Sequence, residues 1–139
     1  MSTKIDSDSV HVRTLFTKLS VSSINSASNQ THTATQVVGG AIERDPNGAD
    51  RTDTTPTAAS LVAEIKSRNA AVESGSAFKF FLYNSSSSHT VTLQGGTGVT
   101  IHGSATVNEE RVVEIEVVAT NATSSSEAVD MYILSNDFI

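Results

Sequence analysis

Cysteine and tryptophan are absent from this chain, and proline occurs only twice in 139 residues. Without cysteine there is no disulfide and no thiolate-ligated zinc site. Stability must then come from a hydrophobic core or from partner subunits. Charge is scarce too: Asp, Glu, Lys and Arg make up 17% of the residues, where an average soluble domain carries about 25%. The net charge is −6 and the nine basic residues are scattered. That balance excludes the basic footprint nucleic-acid binding requires. No stretch approaches the roughly 20 apolar residues of a membrane span. Met1–Asp6 has no apolar run, so no signal peptide is expected and the chain reads as intracellularly made. Neither a nucleic-acid partner nor a membrane is expected.

Ser, Thr, Asn and Gly take the place of the missing charge. Neutral hydrogen-bonding surfaces of this kind suit densely packed assemblies, where charges would have to be desolvated, and equally suit secreted or particle-surface β proteins. Against this background, Ala77–Leu134 alternates regularly. Phe78, Phe80 and Leu82 alternate with Lys79, Phe81 and Tyr83; Val91 and Leu93 alternate with threonines; Val113, Ile115 and Val117 alternate with Glu114, Glu116 and Val118. Polar breaks separate the runs, a pattern that predicts half-buried antiparallel strands. Thr55-Pro-Thr57 opens the single expected helix, carried by Ala58, Leu61, Val62 and Ile65 through Lys66. Asp45-Pro-Asn-Gly48 predicts a turn, and Gln36–Ile42 a short strand with a glycine bulge. Met1–Thr35 is set apart as an extended polar arm. Within it Val10–Val21 leans to a strand, and Ser22–Thr35 is too polar to bury much surface by itself.

Motifs that could carry chemistry are weak. Asp45, Asp50 and Asp53 supply oxygens of the type Ca²⁺ uses, but their spacing misses the EF-hand pattern. An Asx-rich turn with Arg44 and Arg51 as neighbours explains them. His11, His32, His89 and His102 lie in separate segments and read as solvent-facing. No serine lies in Gly-x-Ser-x-Gly. Glu114 and Glu116 share one strand face by simple alternation, which argues against a catalytic carboxylate pair. Gly95-Gly-Thr-Gly98 reads as a hairpin turn. No catalytic set, metal site or cofactor is expected.

The order Val37–Gly48, then Asp53–Val62, Phe78-x-Phe-x-Leu-x-Asn84, Thr90–Thr100 and Asn121–Val129, resembles small β-rich virion proteins of tailed phages and large DNA viruses. Such chains serve as capsid decoration or cement proteins and as head- or tail-fibre domains. The resemblance covers Val37–Leu134 and implies an antiparallel, jelly-roll-like β-sandwich, often trimeric, located on the capsid surface. The full expectation is an all-β sandwich over residues 36–139 with one short helix, preceded by the extended arm over residues 1–35. Function is expected to be non-enzymatic, a homotrimer cementing the major capsid protein. A fibre-type receptor- or glycan-binding module is the alternative. The residues expected at partner contacts are Val12, Leu15, Phe16 and Leu19 in the arm, with Phe81 and Tyr83 on the second face of their strand.

Overall fold

Where alternation is regular the expected strands form, and where polar residues dominate the tertiary context adds elements. The computed structural model describes residues 19–138, with side-chain surroundings through Leu134. In chain order these residues form β1 (Ser20–Asn25), α1 (Ala34–Gly39), β2 (Gly40–Asp45), β3 (Arg51–Thr54), α2 (Ala58–Arg68), β4 (Ala77–Asn84), β5 (Val91–Gln94), β6 (Val99–His102), β7 (Thr106–Val107), β8 (Arg111–Asn121) and β9 (Ala128–Phe138). The fold is β-rich, with two sheets and two helices. A six-stranded sheet has the order β1-β2-β4-β8-β9-β6, and a three-stranded sheet has the order β3-β5-β7.

The sheets are mixed, which corrects the expectation of antiparallel strands throughout. β1 with β2, β2 with β4, β3 with β5 and β6 with β9 are parallel; β4 with β8, β8 with β9 and β5 with β7 are antiparallel. Parallel neighbours need a connection that returns the chain to its starting end, commonly a helix. Here α1 lies between β1 and β2, and α2 between β2 and β4. Alternation reports which face a side chain takes and carries nothing about strand direction.

Two further expectations change. Ser20–Asn25, placed within or beside a polar arm, is an edge strand paired residue for residue with β2. Ala34–Gly39, read partly as a strand, is a helix that displaces the expected strand to Gly40–Asp45. A capping box decides it: the Thr33 hydroxyl accepts from the Gln36 N–H, and the Gln36 side chain accepts from the Thr33 N–H, satisfying two otherwise orphaned donors. Gly40 ends that helix in the left-handed region at φ 105°, the conformation a helix C-terminus commonly takes. The expected helix is present as α2, capped by the Thr57 hydroxyl on the Ser60 N–H.

The core lies on one side of the larger sheet. Ile42, Phe80, Leu82, Val113, Ile115, Val117, Val129 and Met131 point inward. They form one cluster with Val37 of α1, Ala58, Leu61 and Val62 of α2, and Leu93 and Val107 of the smaller sheet. Helices and small sheet therefore share one face of the larger sheet. Its other face carries nothing among the described residues.

Candidate interaction surface

Strand alternation places the open face. Val21, Ala41, Phe81 and Glu114 are register neighbours across β1, β2, β4 and β8. One rung away Lys79, Glu116, Tyr132 and His102 are neighbours across β4, β8, β9 and β6. Val21 is 61% exposed, Phe81 41% and Tyr132 38%. The pairing of β8 with β9 shifts between Glu114 and Ile115, so that Ile115 opposes Ile133 while Glu114 opposes Ser135. Leu134 is the extra residue of this bulge and stays on the exposed side that alternation from Tyr132 gives it.

Charge on this face is mostly negative. Glu43, Glu114, Glu116 and Asp130 alternate outward with Lys79 as the neighbouring cation, whose Nζ lies 3.8 Å from Glu114. At the β6 edge the His102 ring stacks on Tyr132, with centroids 4.7 Å apart, and its Nε2 lies 3.2 Å from the Asp130 carboxylate. The Tyr132 hydroxyl is pushed above its ordinary value by desolvation first, then by Asp130 and Glu116. The surface is thus an acidic band along β8 flanked by exposed rings on β4 and β9.

Of the residues expected at partner contacts, Phe81 and Tyr83 sit on this open face, Tyr83 half-buried beside Val112 and Glu43. Leu19 is 58% exposed at the start of β1. Val12, Leu15 and Phe16 lie outside the described residues. Alternation also sets Tyr132 and Leu134 opposite Val129, Met131 and Ile133, on a second face that needs covering, and both are exposed there.

The inner face holds a buried polar cluster of which the sequence showed only Arg44 beside an Asx-rich turn. On β2 the buried position after Ile42 is Arg44, fully buried beside Asn84 of β4. Arg44 Nε donates to Asp53 Oδ2 at 2.7 Å and Nη2 to Oδ1 at 3.2 Å, the paired geometry a guanidinium offers a carboxylate. Its remaining donors reach the carbonyls of Ser26, Ser28 and Asp45. Asp53 also accepts from the Gln30 N–H and lies 3.0 Å from His32 Nε2. Burial raises the Asp53 carboxyl, but the hydrogen bonds from His32, Arg44 and Gln30 outweigh it and hold it at about 2.

Because Arg44 belongs to the larger sheet and Asp53 to the smaller, this pair ties the two layers. Asn84 makes a second tie, donating to the carbonyls of His89, Val107 and Asn108. His32 is therefore buried, against the expectation of a solvent-facing ring, and its Nδ1 has no partner. No spacing rule could reveal it, since His32 and Asp53 meet only because Gln30–His32 pairs alongside the end of β3 at Thr54.

Only Pro46–Asp50 forms the expected turn, between Asp45 at the end of β2 and Asp53 within β3. Asp45 accepts from the Asn47 N–H and the Asn25 amide, Asp50 from the Thr90 N–H, and Asp53 is committed to Arg44. Among the described residues no group of three or more His, Asp or Glu side chains is placed to hold a metal ion. Gly95–Gly98 is not a hairpin: it carries the chain from β5 in one sheet to β6 in the other. Gly96 is needed there because a Cβ would lie 2.6 Å from the Thr55 carbonyl oxygen. No helix among the described residues is long and apolar enough to cross a membrane. Compared with family models, with curated proteins and with solved structures, the chain matches none.

Proposed function

We propose that this chain is a structural subunit that acts by surface contact, a homotrimeric decoration or cement protein on a viral capsid shell. The observation that carries the contact reading is the open face of the six-stranded sheet. Exposed Val21, Phe81, Tyr132 and Leu134 occupy one sheet whose opposite side is already filled by the core. Single exposed apolar residues are ordinary, whereas several gathered on one face mark an interaction site. The capsid assignment rests on the resemblance of Val37–Leu134 to virion proteins. In this reading the major capsid protein is the partner and the N-terminal arm makes the attachment. Repeated weak contacts through three subunits would then hold the shell by multivalency. No chemical step is involved.

The test is direct. Light scattering of the purified full chain is expected to give a trimer that binds shells stripped of minor proteins. A monomer, or a trimer indifferent to shells, would overturn the cement reading. The arm is best probed by removing Met1–Lys18. A deletion through Thr35 would also strip β1 and His32 from the fold.

One observation favours a fibre-type, glycan-binding module as a second reading. His102 stacked on Tyr132 beside Asp130 combines aromatic faces with a carboxylate acceptor, an arrangement sugars can stack on and hydrogen-bond to. Binding on a glycan array that disappears with Tyr132→Ala would decide for it.

A further inference from the structure

The open sheet face and the chain preceding β1 are complementary in both charge and polarity. Val10–Lys18 presents Val10, Val12, Leu15 and Phe16 among Arg13 and Lys18, with no carboxylate. The face presents Phe81, Tyr132 and Val21 around Glu43, Glu114, Glu116 and Asp130, with Lys79 and His102 among them. Two such faces brought together would oppose their acidic bands, which disfavours a face-to-face dimer. An apolar segment bearing cations meets the opposite sign.

Length permits the contact. Nine extended residues span about 30 Å, while the two strand spacings from β4 to β9 cover only about 10 Å. The connection decides whose face is reached. Val10–Lys18 runs into β1 through Leu19 alone, and Val10–Leu19 contains no Gly, Pro, Asn, Asp or Ser. Those residue types make tight reversals, and folding back onto its own sheet would require one at that point.

We propose that Val10–Lys18 of one copy docks on the open face of a second copy, its apolar side chains against Phe81 and Tyr132 and its cations over the β8 glutamates. The contact is heterologous: each copy gives a segment and receives one, so the arrangement closes into a ring or runs on as a chain. It deepens the structural reading above, for a closed ring of three is the trimer that reading calls for, with Val10–Lys18 joining the copies and Met1–Ser9 left to meet the shell. It needs no capsid, so it can fail while shell binding stands.

Two full-length variants test it. Leu15→Asp/Phe16→Asp disables the segment and leaves the face; Phe81→Lys disables the face and leaves the segment. Unmodified chain is expected to self-associate, and each variant alone to run as a monomer, its association weakened at least about tenfold. Mixing the two variants should yield a 1:1 pair, since one intact segment and one intact face remain, and that pair shows both variants are folded. Raising NaCl from low to high concentration should weaken it, as screening demands. A monomeric unmodified chain, a segment variant that still assembles, a face variant that still assembles, or two folded variants that do not pair would each overturn the proposal.

Discussion

Arg44 shows how much one side chain decides in this protein. It fills an inward position where alternation calls for an apolar residue, and every one of its donors is used. Arg44→Ala would leave Asp53 buried without its cation, a loss expected to cost about 3–5 kcal/mol, read from urea unfolding. Arg44→Ala/Asp53→Ala should cost less than the sum of the two single changes, because neither charge is then stranded. The same carboxylate sets a pH dependence. Its folded value of about 2 lies below the ordinary 3.8, so its contribution is fully present above pH 4 or so. That contribution is lost as pH falls toward 2, on the order of 2 kcal/mol. Acid titration of stability should lose that segment of its slope in Asp53→Asn; an unchanged profile would show that another group carries it. Asp53 had been legible only as part of an Asx-rich loop, because its partners lie nine and more residues away in the chain.

At the scale of elements, regular alternation was a sufficient guide. The inward sets Phe80 and Leu82, Val113, Ile115 and Val117, and Val129 and Met131 are buried as their spacing demands. The cap of α2 was readable as Thr55 or Thr57, since a local side chain meets a local N–H, and Thr57 is the one that makes it. The six-residue helix Ala34–Gly39 was less readable: Val37-Val38 favours strand by β-branching, and the Thr33–Gln36 box with Val37 buried in the core overrides that preference. Thr33→Ala is expected to cost about 1 kcal/mol, with the loss measured by thermal or chemical unfolding. A loss near zero would mean that packing of Val37 holds the helix without its cap. Strand order and direction escaped the reading, because period-2 patterning is identical for parallel and antiparallel neighbours.

For the whole molecule, one core joins both sheets and both helices, so the described residues should unfold as a unit. Removing Met1–Lys18 is expected to lower the unfolding midpoint only by what self-association contributes at the protein concentration used, while removing Met1–Thr35 should lower it much further by deleting β1 and the His32–Asp53 contact. Thermal melts of the two truncations separate these outcomes; equal midpoints would place β1 outside the cooperative unit. The open sheet face belongs to this scale as well. Phe81 was singled out because its strand is apolar on both sides, but its combination with Val21 and Tyr132 depends on four separate strand pairings.

The sequence by itself determined which residues form the main strands, which side of each strand is buried, and where α2 begins. These follow from contacts between near neighbours and from burial of a repeating face. Only the tertiary structure decided that the sheet is mixed, that Ser20–Asn25 joins it, that Arg44 and Asp53 bind the two layers, and that one face stays open. Each of those depends on segments far apart in the chain meeting across strand pairings, and no local pattern of residue types encodes such meetings.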